Sequence, residues 1–382
     1  MELRTDIEGL SLRLMDASSD LKHAKSAEER IALSNYIDNL SESIRGLTGL
    51  DFYPSKKAIY GSNKNYQKFF KKLNIYEDRM LVNYLKNKSF HHDYLGIMLD
   101  KIDKHLVEYT DFEFGEGKTI SSGEFFEIFN EFLKSLDLGN KYDQFINGIG
   151  IYGYDKELSD NFSGYILFNP RSKDTDVFVG DFNYDVDTLY TLAHEFGHAY
   201  DFSCFNEDFD TYNKYFYQSF YGEVTSKLFE RLLLEYLIKN NILIGDTKEQ
   251  IIGMEFENYT NMIFSYVISL FDDETLKKHK QEKMSPEYIY NVVQDDFEEG
   301  IKDILAYQKS MSVNESYIYT YGDVISMFVK REVNKYGFDN DMLRELFNRR
   351  DEVFSTEYLE KYEMSTSNYL DEYKKELQFV KK

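Results

Sequence analysis

The chain has 382 residues, with 45 Lys and Arg against 68 Asp and Glu, and its formal net charge of −23 argues against nucleic acid or an anionic membrane as a main partner. A single cysteine, Cys204, excludes an intrachain disulfide. No stretch of about 18 uncharged apolar residues is present to span a bilayer. We therefore expect a cytoplasmic globular protein that buries a large core.

The first 48 residues predict a helical hairpin. Apolar residues from Ile7 to Leu14 recur at helical spacing, which indicates the first helix. Ser26 and Glu29 form a capping box, in which a serine and a glutamate satisfy the first backbone N–H groups of the second helix.

The next part of the chain indicates where the body of the protein begins. A further helical stretch is expected over residues 65–106, and glycines then interrupt the pattern just before Ser121, which with Glu124 forms another capping box. No linker rich in Pro, Gly or Ser follows. We therefore divide the chain into an N-terminal helical segment, residues 1–110, and a body, residues 111–382, within one continuous fold.

Two short apolar runs predict a β-hairpin before the next helix. Residues 164–168 and 175–179 are separated by a polar turn that contains Pro170. Asp185 or Asp187 can then cap the helix that follows.

That helix carries the strongest motif of the chain, Thr-Leu-Ala-His-Glu-Phe-Gly-His-Ala-Tyr at residues 191–200. His194 and His198 lie one helical turn apart on one face, so their imidazole nitrogens can converge on one metal ion. Glu195 lies beside that ion and can take a proton from a metal-activated water. Gly197 costs about 1 kcal/mol of helix propensity relative to Ala, which indicates a close approach by another group. The motif predicts a zinc hydrolase.

Two histidines leave the metal in need of a third protein ligand. A helical run expected from Tyr212 to Asn240 returns beside the motif helix and can supply a carboxylate. The acids that qualify by chemistry are Glu207, Asp208, Asp210 and Glu223. Glu223 is favoured because it lies well inside the predicted helix, whereas the other three form a loop-like cluster.

Two further acids are candidates for orienting a ligand histidine through a hydrogen bond. Glu230, seven residues after Glu223, returns to the same helix face. Asp201, three residues after His198, is the rival. Either could instead be a solvated surface acid.

At these residues the chain resembles a known family. The segments His-Glu-Phe-Gly-His-Ala at 194–199 and Gly-Glu-Val-Thr-Ser-Lys-Leu-Phe-Glu at 222–230 are similar to those of the thimet oligopeptidase and oligoendopeptidase F family of zinc metallopeptidases. The resemblance implies a mainly α, zincin-like fold of the gluzincin type, with a small β-sheet beside the motif helix. It implies one zinc ion per chain and Glu195 as general base and acid. The zinc ligands that it implies are His194, His198 and Glu223.

A late tyrosine segment, Ser-Tyr-Ile-Tyr-Thr-Tyr-Gly at 316–322, is similar to a Tyr-x-Tyr-x-Tyr segment of the family. The resemblance implies Tyr319 as the hydrogen-bond donor to the oxyanion, a role that suits a phenol, and Tyr317 as a substrate contact. Because the chain has 33 tyrosines, a chance match is the alternative. The remainder is expected to be helical, with Pro286 opening one helix.

A substrate contact is also expected at the predicted hairpin. In zinc peptidases a strand beside the metal helix commonly binds the substrate backbone as an added strand. The predicted substrate-binding residues of this strand are Val177, Phe178 and Val179. The alternative is a core or edge strand that does not contact substrate.

The chain departs from the family pattern in two ways. Met311 and its neighbours occupy the region where the family carries a histidine, and the N-terminal side is much shorter. We expect a zinc-dependent metalloendopeptidase that hydrolyses short oligopeptides. The missing histidine motivates an alternative, a zinc-retaining peptide-binding protein with little or no turnover. A purely structural zinc site is disfavoured because it has no use for Glu195 as a base.

Overall fold

The computed structural model of the protein describes residues 4, 7–48, 88, 92–102, 117–138, 141–154, 163–204, 222–270, 313–348 and 360–381. These residues are mainly helical with a small three-stranded sheet, as predicted. Within these ranges, no helix combines the length and the apolar character needed to cross a membrane. The division at residue 110 and the helix start at Pro286 lie outside the described residues, and the two-part organisation stays a prediction.

The elements follow one another in a simple order. Residues 92–102 are helical in addition to the named helices. The strands are β1 (Ile149–Tyr154), β2 (Gly164–Phe168) and β3 (Thr175–Gly180). The helices are α1 (Ile7–His23), α2 (Ala27–Thr48), α3 (Ser122–Ser135), α4 (Lys141–Gly148), α5 (Val186–Ser203), α6 (Val224–Lys239), α7 (Ile244–Leu270), α8 (Val313–Tyr336), α9 (Asp341–Asn348) and α10 (Thr366–Lys381).

The predicted N-terminal hairpin is confirmed as α1 and α2, and its capping box forms. The backbone N–H of Glu29 donates to Ser26 Oγ over 3.0 Å, while Glu29 Oε2 accepts from the backbone N–H of Lys25 over 2.7 Å. At the second predicted box the serine half forms, since Ser121 Oγ accepts from the backbone N–H of Glu124 at the start of α3. These local signals set where α2 and α3 begin.

The sheet has the order β1, β3, β2, with β1 parallel and β2 antiparallel to the central strand β3. The predicted hairpin of β2 and β3 is confirmed, whereas β1 was not predicted as a separate strand. Phe178 faces the α1–α2 hairpin and stacks between Tyr152 and Tyr165, with ring centroids 5.0 and 4.9 Å away. Val177 and Val179 face the other way, into the main core with α5.

The position of β3 corrects one prediction about substrate binding. The backbone of this strand pairs with β1 on one side and with β2 on the other along its full length. The side chains of Val177, Phe178 and Val179 are 0, 0 and 1 % exposed. A peptide therefore cannot add to β3, and the prediction of strand addition at these three residues is wrong. Val179 nevertheless lines a cleft beside Glu195, so a substrate contact at this residue stays a prediction. An added strand requires a sheet edge, and β2 is the edge strand next to α5.

Helix α5 begins at the capping residue that the sequence offered. Asp185 Oδ1 accepts from the backbone N–H of Thr188 over 2.8 Å. The helix then buries one apolar face against β2, β3 and α6. The buried residues of that face include Leu189, Ala193, Phe196 and Tyr200.

A buried ion cluster joins α6 to α7, α8 and α10. The side chain of Arg231, 0 % exposed, forms ion pairs with Asp323 and Glu376 and lies 3.3 Å from Glu255. Burial raises the pKa of Glu255 against the attraction of Arg231, so this carboxyl favours its neutral form. Because these side chains are buried, each charge is stabilised by its ion-pair partners instead of by water.

We predict that Arg231→Met lowers the free energy of unfolding by about 3–5 kcal/mol, since it removes the ion-pair partner of the buried Asp323 and leaves Glu376 with Lys330 alone. Urea denaturation monitored by circular dichroism measures the change. Arg344→Met is the matched control, because Arg344 is 58 % exposed and pairs with Asp339 and Asp341 at the surface. That change should cost about 0–1 kcal/mol, and equal losses for the two variants would contradict the prediction.

Candidate metal centre

Three side chains from two neighbouring segments converge at one point. His194 Nε2 lies 3.2 Å from His198 Nε2. Glu223 Oε2 lies 3.3 Å from the first of these nitrogens and 3.5 Å from the second. Ligand atoms about 2.0–2.1 Å from a tetrahedral ion are about 3.3 Å apart, so the three atoms match one face of such a tetrahedron. The group could therefore hold a metal ion.

Two of the ligand candidates lie on α5 and the third immediately precedes α6. Glu223 is the N-cap residue of α6, which corrects the prediction that it lies well inside a helix. Its carbonyl oxygen accepts the first helical hydrogen bond, from Lys227 N–H over 3.0 Å. Its carboxylate Oε2 also accepts from Ser226 Oγ over 2.8 Å, which fixes the side chain at the helix start. The rival acids Glu207, Asp208 and Asp210 lie outside the described residues.

The close approach predicted at Gly197 is confirmed. A Cβ at this position would lie 2.5 Å from both Ser226 Cα and Thr225 O, at the first turn of α6. Only glycine therefore allows α5 to contact the backbone of α6 at the turn that follows Glu223. This contact sets the distance between the histidines and the carboxylate.

A second glycine packs directly against Glu223. Gly322 of α8 faces the ligand, and a Cβ there would lie 2.4 Å from Glu223 Cβ and 3.0 Å from its carbonyl carbon. The side chain of Glu223 is thus held between α5 and α8. The sequence analysis did not single out Gly322, although it lies three residues after Tyr319.

Glu195 lies beside the three ligand candidates and is 4 % exposed. The start of the edge strand β2 packs against it, since a Cβ at Gly164 would lie 2.7 Å from Glu195 Oε1. A cleft of about 540 Å³ opens at this place, and Glu195 and His194 line it together with Gly164 and Tyr319. A carboxylate in this position can accept a proton from a group bound in the cleft.

Glu230 contacts a ligand histidine from outside the group of three. His194 Nδ1 lies 2.5 Å from Glu230 Oε1, which is hydrogen-bond distance. Glu230 is buried in α6, at 1 % exposure. Asp201 is likewise buried, on α5, and its predicted orienting role stays a prediction.

The electrostatics of the centre favour a cation. Burial lowers the pKa of His194, but the hydrogen bond and charge of Glu230 outweigh it and raise this pKa to about 9. Burial raises the pKa of Glu223, and the charges of His198 and His194 reverse that effect and lower it. Burial raises the pKa of Glu195. The carboxylates therefore draw positive charge to the two imidazoles, and a metal dication competes for the same nitrogens.

Tyr319 lines the same cleft from α8. The negative charge of Glu223, together with burial, raises its pKa, so the phenol keeps its proton and stays a hydrogen-bond donor. The side chain of the other predicted tyrosine, Tyr317, lies outside the described residues. Sequence reasoning also missed two polar residues of the cleft wall, Tyr190 and Lys227.

Comparison with known proteins gives little further guidance. No protein-family model and no curated protein matches the chain. Among solved structures, the chain is similar to a protein from Chlamydophila abortus that is provisionally described as a peptidase, with 16 % sequence identity and a TM-score of 0.42. The match covers 90 % of this chain and 59 % of that protein, so the chain spans less than two thirds of its length. At this similarity neither a shared fold nor a shared activity follows.

We predict that Gly322→Ala weakens metal binding about 10–100-fold, because the added methyl group displaces Glu223. Titration with zinc against a chromophoric chelator measures the affinity. Gly253→Ala in α7 is the control, since a Cβ there has no neighbour within 4 Å. Both changes raise helix propensity, so only the displaced ligand explains a loss. An unchanged affinity of Gly322→Ala would refute the support of Glu223 by α8.

Proposed function

We propose that the protein is a zinc-dependent metalloendopeptidase of short oligopeptides, with a zincin-like fold of the gluzincin type. The observation that carries the proposal is the triangle of His194, His198 and Glu223, with sides of 3.2 to 3.5 Å, next to a buried Glu195 that faces a cleft. The resemblance to the thimet oligopeptidase and oligoendopeptidase F family supports the same function.

The donor set fits zinc, because two imidazoles and one carboxylate are a common set in catalytic zinc sites. A bound zinc ion supplies Lewis acidity that polarises the scissile carbonyl and lowers the pKa of water. Glu195 then accepts the proton of the attacking water and delivers it to the leaving amide nitrogen. Net reaction consumes one water and breaks one C–N bond, so no further cofactor is required.

The edge strand β2 is the proposed binding surface for the peptide backbone. Its first residue packs on Glu195, and Ser163 and Gly164 both line the cleft. Main-chain hydrogen bonds to a sheet edge align a peptide whatever its side chains are. A substrate that extends β2 would bring a peptide bond alongside Glu195 and the ligand group.

Tyr319 is the proposed donor to the oxyanion. It lines the cleft from α8, the helix whose Gly322 packs against Glu223. Because its pKa is raised, its hydroxyl can donate to the carbonyl oxygen as negative charge develops there.

We predict that Glu195→Gln lowers kcat by about 10²–10⁴-fold and leaves zinc binding intact, because the amide cannot accept the proton. Cleavage of a quenched short-peptide library and zinc content by atomic absorption are the measurements. Equal cleavage by wild type and variant would sink the catalytic role of Glu195.

Two further results of this experiment separate the alternatives. Glu223→Ala should lose zinc, and wild-type zinc content in that variant would move the third ligand to Glu207, Asp208 or Asp210. A wild-type protein that binds one zinc ion and peptides but cleaves none would favour the peptide-binding alternative.

We predict that Tyr319→Phe lowers kcat by about 10²–10³-fold with little change in KM, since the lost hydrogen bond forms mainly in the transition state. Steady-state kinetics on a single fluorogenic peptide measure both constants. Tyr336→Phe is the control, because Tyr336 lies on the same helix and is 59 % exposed. A rise in KM alone would make Tyr319 a ground-state contact instead.

A further inference from the structure

Both oxygens of the Glu230 carboxylate have polar partners. Oε1 lies 2.5 Å from His194 Nδ1. Oε2 accepts from Tyr190 Oη over 2.6 Å and lies 3.2 Å from Lys227 Nζ. Tyr190 precedes His194 by one turn of α5, and Lys227 precedes Glu230 by one turn of α6. Each helix thus contributes two members of the group.

The burial of these side chains makes their pairing obligatory. The side chains of Lys227 and Glu230 are 3 and 1 % exposed. A buried ammonium without a counter-charge is strongly disfavoured. The charge of Glu230 therefore keeps Lys227 protonated, and burial, which lowers the pKa of Lys227, is outweighed. In turn, Lys227 is a counter-charge for the buried Glu230 carboxylate behind the histidine.

The geometry explains how two residues outside the ligand group can act on it. A glutamate held by a single hydrogen bond can rotate its carboxylate plane, and the attached imidazole turns with it. Donors from two different helices on Oε2 fix that plane. When Glu230 accepts a hydrogen bond from Nδ1–H, the proton of His194 is on Nδ1. The lone pair of Nε2 is then free and points toward His198 and Glu223.

We propose that Tyr190 and Lys227 are positioning residues that clamp Glu230 and thereby orient His194 for metal binding. The inference rests on the proposed function only in assuming that the metal serves catalysis. Two competing roles exist. Lys227 lines the cleft and could contact substrate directly, or the group could simply join α5 to α6.

The test is a set of variants, Tyr190→Phe and Lys227→Met, made singly and in a Glu230→Gln background. Zinc affinity is measured by chelator competition without substrate, and kcat and KM are measured on a fluorogenic peptide. Each single change should weaken zinc binding about 10–100-fold. In the Glu230→Gln background each change should reduce zinc affinity by less than about a further twofold, because the effects of residues that act through one group are not additive.

Three outcomes in these variants would overturn the clamp. The first is unchanged zinc affinity in both single variants. The second is full additivity with Glu230→Gln, which would mean that the two residues do not act through it. The third is a raised KM with unchanged zinc affinity for Lys227→Met, which would make Lys227 a substrate contact.

Matched controls test for a merely structural effect. Lys239→Met removes an exposed lysine of the same helix that is paired with Glu235, and Tyr142→Phe removes a hydroxyl that donates to Asn130 far along the chain from the centre. Neither should change zinc affinity by more than about twofold, and an effect equal to that of the clamp variants would overturn the proposal.

A conservative variant keeps the test valid if Lys227→Met does not fold. Lys227→Arg retains the charge and the hydrogen-bond donors, so its zinc affinity should exceed that of any folded Lys227→Met protein. If Lys227→Met does not fold, Lys227→Arg and Tyr190→Phe are the two variants that test the clamp. Urea unfolding of the metal-free proteins reports folding separately.

The proposed function and the clamp can fail independently. A wild type that binds zinc but cleaves no peptide would overturn the peptidase while the zinc affinities still test the clamp. Normal cleavage with unchanged zinc affinity in the variants would overturn the clamp alone.

Discussion

The candidate metal centre depends on one helix contact, the approach of α6 to α5 at Gly197. The backbone of α6 lies where a side chain at this position would be, within 2.5 Å of a Cβ. Because Glu223 begins α6, the same contact brings its carboxylate within 3.3 to 3.5 Å of both histidine nitrogens. A shift of one ångström between the helices would open this triangle. Gly322 packs against Glu223 itself, so tertiary contacts with α5 and α8 position the third ligand candidate and the residues that follow it.

Helix α6 is further fixed by buried charges on two of its faces. Glu230 points to the metal centre, whereas Arg231, the next residue and about 100° around the helix, points to the ion cluster with α7, α8 and α10. The first contact sets the position of a ligand histidine, and the second resists rotation of the helix that carries it. Stability and site geometry are therefore linked through adjacent residues, since buried ion pairs have few alternative arrangements.

The sequence predicted those features that have local causes. The hairpin of α1 and α2, the caps at Ser26, Ser121 and Asp185, and the β2–β3 hairpin depend on neighbouring residues. Strand β1 was not predicted as a separate strand, because its partner β3 is distant in the chain and because Gly150 and Gly153 weaken its strand character. The continuous apolar run at residues 177–179 is typical of a strand buried on both faces, which is why it could not serve as the edge.

Glu223 was placed inside a helix because periodicity alone does not mark a helix start that lacks a side-chain cap. No local sequence pattern indicated the contacts of three further residues. Gly322 packs against Glu223, and both Tyr190 and Lys227 contact Glu230.

The position of Glu195 favours the proposed catalytic role of the centre over a structural one. A structural site closes the fourth coordination position with another protein ligand, whereas a catalytic site leaves it to water. Within the part of the chain that the structure describes, the group of donor atoms has three members, and the cleft opens beside them. Glu195 is held at that opening by the backbone of an edge strand rather than by a counter-ion in the described contacts. A buried carboxylate beside three candidate metal ligands and a cleft has the surroundings that the proposed general base requires.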